Sequence, residues 1–172
     1  LLENMLVWGR GQEDKIKYTI EKRTLEDINL TNLSIVKETS DKKEIAVNFT
    51  QVGSSMAFFD KDLLDIIIRN LLSNAVKYTS RGGRISILLK DKSSDGEGML
   101  LKICDNGIGI PDSKQKHLFT STEITSTPGT EDEKGTGLGL KLCAELVNIN
   151  KGTISVESKE GEGSCFSITL PV

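Results

Sequence analysis

The sequence predicts an α/β two-layer sandwich: a mixed sheet of about five strands with helices packed on one face. Three observations point there. One long run, residues 62–79, is apolar around most of a helical circumference. Several short runs alternate apolar and polar residues, as strands with one buried face do. Two glycine-rich stretches follow, one directly after a strand pattern and the other directly before a helical one. A chain of 172 residues is long enough for one domain with a full core.

The long run reads DLLDIIIRNLLSNAVKYT. Asp60 or Asp62 starts it, because a carboxylate accepts the orphan amides of a first helical turn. Leu63, Leu64, Ile66, Ile67, Ile68, Leu71, Leu72, Ala75 and Val76 predict a buried helix. Asn70, Asn74 and Lys77 fall at i, i+4 and i+7, so they stack along one edge, with Tyr78 beside them. Carboxamides, an ammonium and a phenol at the margin of a buried helix are costly unless they find partners.

The remaining elements follow in order. Residues 1–10, LLENMLVWGR, place Leu2, Met5, Leu6 and Trp8 at helical spacing, and the polar stretch to Lys15 reads as a linker. Residues 16–24 alternate as a strand. Residues 25–39 carry an amphipathic helical pattern, and 41–44 read as a solvated charged turn. Strands are predicted over 45–50 and 56–59. Arg81-Gly82-Gly83 ends the long helix with the permissive backbone a C-terminal cap needs. Residues 84–90 and 99–104 read as a strand pair joined by the polar turn 91–98. A helix is predicted over 138–150, closed by Gly152, and two final strands over 153–159 and 164–170.

Composition narrows the classes of function. The net charge of −3 provides no basic footprint for nucleic acid. No run approaches the roughly 18 apolar residues that span a bilayer, so direct membrane contact by this chain is not expected. Cys104, Cys143 and Cys165 are odd in number, far apart and in apolar company, which predicts buried free thiols in a reducing compartment. His117 is the single histidine and C-x-x-C is absent, which argues against a zinc site or a Ser-His-Asp triad. The chain opens Leu1-Leu2 and reads as a piece of a longer protein.

The chemistry concentrates around the glycines. In DNGIGI (105–110), Gly107 and Gly109 permit sharp turns and close approach to a ligand. Asp105 ends an apolar strand and puts a carboxylate at a pocket floor, where it can accept from a ligand's exocyclic amine. GTGLGL (135–140) opens a helix, an arrangement that offers backbone amides and the positive end of a helix dipole to phosphate. Its G-x-G-x-G spacing is not the dinucleotide fingerprint, and no P-loop occurs. The segment between, about 111–134, has little periodicity. A loop that long in a compact domain is usually functional, such as a lid.

Taken together and in this order, N-x-x-x-N-x-x-K-Y, D-x-G-x-G, a long lid and G-T-G-L-G-L closely resemble the catalytic and ATP-binding domain of sensor histidine kinases, within the GHKL (Bergerat-fold) ATPases. RNLLSNAVKYT resembles that family's N box, DNGIGIP and GTGLGL its glycine boxes, and GEGSCFSITLP its terminal strand. The resemblance covers 16–172 as the catalytic domain. It implies that residues 1–15 are the end of the preceding dimerisation and phosphoacceptor helix and a linker. It further implies ATP and Mg²⁺ as ligands. Asn74 would ligate Mg²⁺ with Asn70 as a second ligand or support, Lys77 would contact phosphates, and Tyr78 would pack on the base. Asp105 would bind the adenine amine in a pocket shaped by Gly107, Gly109 and Ile110. Gly135, Thr136, Gly137, Leu138, Gly139 and Leu140 would hold the lid's end and the phosphates.

The implied partners are a dimerisation and phosphoacceptor domain of the same kinase and a response-regulator receiver domain. The implied parent is a homodimer, its cytosolic portion anchored to a bacterial membrane. Two departures stand out. The family's phenylalanine-rich lid box is reduced to His117-Leu118-Phe119, leaving Phe119 as its candidate, and the basic lid residue is replaced, with Lys114, Lys116 and Lys134 the nearest substitutes. His117 lies in the lid and not in an acceptor helix. The competing readings are another GHKL ATPase or serine kinase, and a nucleotide-free scaffold.

Overall fold

The computed structural model describes residues 17–24, 31–53, 56–92, 98–120, 127–135 and 137–171. The predicted helical remnant and linker over 1–15 lie outside these residues. So do Ile16, Thr136 and the start of the helix expected from 25.

The predicted sandwich is present. Strand β1 (Glu21–Thr24) precedes helix α1 (Thr31–Lys42), strands β2 (Ala46–Val52) and β3 (Met56–Phe59), and the long helix α2 (Lys61–Tyr78). Strands β4 (Arg84–Lys92) and β5 (Gly98–Asp105) follow. Then come the one-turn helix α3 (Asp112–Gln115), helix α4 (Gly139–Ile149), β6 (Thr153–Lys159) and β7 (Gly163–Leu170). The main sheet has five strands in the order β2-β4-β5-β7-β6. Only β2 and β4 are parallel, so the sheet is mixed. β1 and β3 do not join it; they form a separate antiparallel pair.

The core lies between one face of that sheet and the helices. Ile85, Ile87 and Leu89 of β4, Met99, Leu101 and Ile103 of β5, and Phe166, Ile168 and Leu170 of β7 are buried. They alternate with less buried residues, as one-sided strands must. Against them pack Leu63, Leu64, Ile67, Ile68, Leu71, Leu72, Ala75 and Val76 of α2. Leu142, Cys143, Leu146 and Val147 of α4 complete the layer.

Of the two capping candidates, Asp60 caps α2: its Oδ1 accepts from the Leu63 amide at 2.9 Å. Asn150, fully buried, ties that cap to α4. Its Oδ1 accepts from the Asp60 amide at 2.6 Å and its Nδ2 donates to the Leu146 carbonyl at 3.0 Å.

Two expectations are corrected. The solvated turn expected over 41–44 is only partly one: Asp41, Lys42 and Glu44 are exposed, but α1 runs on through Lys42, and Lys43 is only 1% exposed. Composition hid this because lysine is rarely buried unless its ammonium is paired, and the partners come from far along the chain. The expectation of three free thiols holds only for Cys143. Cys104 and Cys165 are joined in a disulfide. They are 61 residues apart, but the antiparallel register of β5 and β7 sets them directly opposite, and sequence spacing does not reveal that. Burial pushes the Cys143 thiol up to about 12, well out of the nucleophilic range.

Candidate functional site

Helix α2 buries its residues in adjacent pairs, 63/64, 67/68, 71/72 and 75/76, and leaves a half-buried stripe between them. Asn70, Asn74 and Lys77 all lie on that stripe, as their spacing predicts. Asn70 Nδ2 donates to the Ile66 carbonyl one turn back at 3.1 Å. Its Oδ1 is directed at the opening of α4: a Cβ on Gly139 would lie 3.3 Å from it. The Asn74 side chain makes no hydrogen bond to a described residue. Lys77 Nζ donates to the Tyr78 hydroxyl at 2.9 Å and to the Thr127 carbonyl at 3.0 Å, and lies 4.6 Å from the Tyr78 ring centroid. The Tyr78 hydroxyl in turn donates to the Thr127 carbonyl at 3.1 Å.

The first glycine stretch is clamped between the end of α2 and the β6–β7 turn. The Ile108 amide donates to the Tyr78 carbonyl at 3.1 Å, and a Cβ on Gly107 would run into that carbonyl. Gly109 has φ +67° and sits so close to the Lys159 carbonyl that no side chain fits. On the same side, the Ile110 amide donates to Ser158 Oγ at 2.8 Å and the Gly161 amide to the Ile108 carbonyl at 2.8 Å.

Asp105 closes β5 at the centre of this arrangement. Its Oδ1 accepts from the Gly107 amide at 2.9 Å and from the Ser164 amide at 3.3 Å. Burial pushes its carboxyl above the usual range, and these two amide hydrogen bonds offset only part of that. Oδ2 has no partner among the described residues, so the carboxylate keeps an oxygen able to accept from an N–H donor.

The second glycine stretch delivers helix α4. Gly137 has φ +70°, and Leu138 at the cap position provides no side-chain acceptor. The N-terminus of α4 therefore has no side-chain cap, and a helix N-terminus is an end that favours an anion. Leu140 packs on the core. Gly135 and Gly137 are exposed.

The segment expected to form a lid begins with α3 and a turn to Thr120, in which Phe119 packs against the core and His117 is exposed. Residues 121–126 lie outside the described residues. The chain returns over the end of α2, where the Thr130 amide donates to the Lys77 carbonyl at 3.0 Å. Lys114, Lys116 and Lys134, the candidate replacements for a basic lid residue, are all exposed.

The structure thus brings Asn70, Lys77, Tyr78, Gly107 and Gly139 together around the C-terminal half of α2, with Asp105 joined to them through Gly107. Sequence reasoning missed Lys43, Thr130 and Glu133 behind the site and the Ser164 amide within it. A lysine in a charged run and an amide donor leave no pattern in composition. Asn70 and Asn74 are carboxamides, hard oxygen donors of the kind Mg²⁺ takes alongside waters and phosphate oxygens. No cluster of three or more His, Cys, Asp or Glu side chains suited to a metal occurs among the described residues. An ion here would rest on these amides and on the ligand's own oxygens. No described helix is long and apolar enough to cross a membrane.

Comparison with known proteins agrees with this geometry. Residues 59–172 match the family described as histidine kinase-, DNA gyrase B- and HSP90-like ATPase. The chain is 40% identical over 116 residues to the adaptive-response sensory kinase SasA of Crocosphaera subtropica, covering 67% of this chain and 29% of that protein. It is 29% identical over 175 residues to SasA of Thermosynechococcus vestitus, covering the whole of this chain and 44% of that protein. The chain therefore spans less than half the length of these relatives. Among solved structures, the mycobacterial sensor histidine kinase MprB superposes with a TM-score of 0.72 at 25% identity, covering 89% of this chain and 97% of that one. The strand order, the glycine-bounded lid and the polar edge of α2 belong with these matches: the chain is a member of the histidine kinase-, DNA gyrase B- and HSP90-like ATPase family, of the histidine-kinase type.

Proposed function

We propose that this chain binds MgATP and donates the γ-phosphate to a histidine on a separate dimerisation domain of a homodimeric kinase, for relay to a response-regulator receiver domain in the cytosol. One observation carries the reading. An acceptor carboxylate, a helix N-terminus without a side-chain cap and a stripe of amide and ammonium side chains all neighbour the C-terminal half of α2. Asp105 Oδ2 takes the adenine amine, and Tyr78 flanks the base. Lys77 and the α4 amides meet the phosphates. Asn74, with Asn70 beside it, would hold Mg²⁺, which would supply charge neutralisation at the phosphates.

In the transfer, the acceptor histidine nitrogen forms a bond to the γ-phosphorus as the bond from that phosphorus to the β,γ-bridging oxygen breaks, releasing ADP. The chain's own groups contribute position and charge and form no covalent bond to the substrate. His117, exposed in the lid turn, is not placed as an acceptor. The chain alone should bind nucleotide without becoming phosphorylated.

Calorimetric titration with a non-hydrolysable ATP analogue, with and without Mg²⁺, tests the binding step. Magnesium-dependent affinity in the micromolar-to-millimolar range, on the order of −8 to −4 kcal/mol, is the expected result. Absence of binding under both conditions would bring the scaffold reading forward. Stoichiometric label on this chain after incubation with labelled ATP would contradict the placement of the acceptor elsewhere.

A further inference from the structure

A helix ends with four carbonyls that have no partner within it. At the end of α2 they are satisfied by three distant pieces of chain. The Ile108 amide of the first glycine stretch takes the Tyr78 carbonyl, and the lid's Thr130 takes those of Lys77 and Thr79. Lys43, from the turn after α1, takes that of Val76 at 2.9 Å. The Lys43 ammonium also donates to Thr130 Oγ1 at 2.7 Å and to Glu133 Oε1 at 2.8 Å, both in the returning arm of the lid. An ammonium has three protons, and here all are engaged away from water.

The arm is seated closely. Gly129 lies against Lys77, so that a Cβ there would come within 2.6 Å of Lys77 Cγ. The same arm presents the Thr127 carbonyl that receives both Lys77 Nζ and the Tyr78 hydroxyl.

We propose that Lys43 is a positioning residue for the nucleotide site: with Glu133 it fastens the lid's returning arm to the end of α2, and so sets where Lys77 and Tyr78 stand. The inference rests on the reading of Lys77 as a phosphate contact. It adds a determinant outside the N box and both glycine boxes. Burial alone would raise the Glu133 carboxyl, but the hydrogen bond from Lys43, with those from backbone amides, outweighs it and holds the group below the usual range, as a paired carboxylate should be.

The test uses Lys43→Met, which keeps an unbranched apolar stem, Lys43→Arg as the conservative variant, and Glu133→Gln on the lid side. Each is titrated with the ATP analogue in Mg²⁺ and with adenosine, at a temperature where circular dichroism shows it folded. Lys43→Met is expected to weaken the analogue about tenfold, as the loss of one charge-assisted hydrogen bond does. Adenosine, held by Asp105 and flanked by Tyr78 but without phosphates for Lys77 to meet, should lose distinctly less affinity than the analogue. Lys43→Arg should recover part of the loss, and proteolysis within 111–134 should quicken in Lys43→Met. A folded Lys43→Met that binds the analogue like the parent overturns the proposal. Should Lys43→Met not fold, Glu133→Gln decides: unchanged selectivity for the analogue over adenosine overturns it, and selective loss upholds it. If the parent chain does not bind the analogue at all, the nucleotide reading fails first and takes this inference with it. Parental binding with unaffected variants removes only the inference.

Discussion

Replacing Asp105 by Asn separates the ligand-binding role of this carboxylate from its structural one. Oδ1 accepts from the Gly107 and Ser164 amides, and a carboxamide oxygen can take over both bonds. The fold should therefore survive. Oδ2 becomes an NH₂ group, which turns a donor toward the donor amine of adenine. A hydrogen bond to a charged partner is worth about 1.5–3 kcal/mol net; at about 1.4 kcal/mol per decade this is a roughly 10- to 150-fold loss of affinity. The like-facing donors push toward the upper end.

Stability should move the other way, if at all. Burial raises the Asp105 carboxyl above its ordinary 3.8. A group whose folded-state value is raised contributes stability that is present below the unfolded value and lost as pH rises through the folded one. At neutral pH the buried carboxylate is thus a cost that Asn removes. Nucleotide affinity has the opposite pH sense. It should fall as pH drops through the raised value, where the acceptor becomes protonated, and this step should vanish in the variant after subtraction of the nucleotide's own titration. Calorimetry gives the affinity and urea unfolding the stability. Unchanged affinity in Asp105→Asn would remove the adenine role, and a large loss of stability would show that the carboxylate is held for the fold instead.

Three further outcomes follow from the packing. Gly109→Ala adds about 1–2 kcal/mol for a left-handed backbone. It also forces apart the contact with the Lys159 carbonyl, endangering two hydrogen bonds of about 1 kcal/mol each; urea unfolding should show a loss of about 3–4 kcal/mol, and a loss under 1 kcal/mol would mean the glycine stretch is not clamped to the β6–β7 turn. Asn150→Ala breaks the bonds to Asp60 and Leu146 and should cost about 2–3 kcal/mol. Nucleotide affinity should nevertheless stay within about twofold, because α4's far end does not touch the site; a large affinity change would tie that end to it. Alkylation of the denatured chain should label one thiol without reductant and three with it. Native Cys143 should resist labelling at pH 8, since its thiol stays protonated up to about 12. Three labels without reductant would restore the free-thiol expectation.

What the sequence made legible was what repeats or caps. The 63/64, 67/68, 71/72 and 75/76 pairs of α2 encode both the helix and its buried stripe, and Asn70, Asn74 and Lys77 follow by spacing alone. The alternation of β4, β6 and β7 placed those strands to within a residue or two at each end. What stayed hidden depends on register or on partners far away in sequence. Cys104 meets Cys165 only because β5 and β7 pair with that offset. The strand predicted over 56–59 carried no partner; β3 pairs with β1, and a four-residue alternation says nothing about its neighbour. Lys43 looked like solvent in a run of charges, because the carbonyls and the carboxylate that make its burial tolerable sit 33 and 90 residues away.

Those hidden contacts also explain why the motifs lie in this order along the chain. A buried helix whose last turn is polar cannot end in the core without acceptors for side chains and donors for its carbonyls. A glycine residue brings a backbone amide to the Tyr78 carbonyl because nothing larger than hydrogen fits at Gly107. A second glycine, Gly129, lets the lid lie on Lys77 for the same reason. The segments that cap α2 are thus the segments that the proposed nucleotide reading sets around the ligand. A change in how the lid sits must alter the capping of α2, and a ligand that reorders the lid must act on Lys77 and Tyr78 through that capping. Movement of the lid away from Lys77 would release the Thr130 amide and the Thr127 carbonyl together. Hydrogen exchange at Thr130 and at the Lys77–Thr79 end should therefore change as one unit on nucleotide binding. Independent exchange of the two would break the link between cap and pocket and leave the lid as a separate flap.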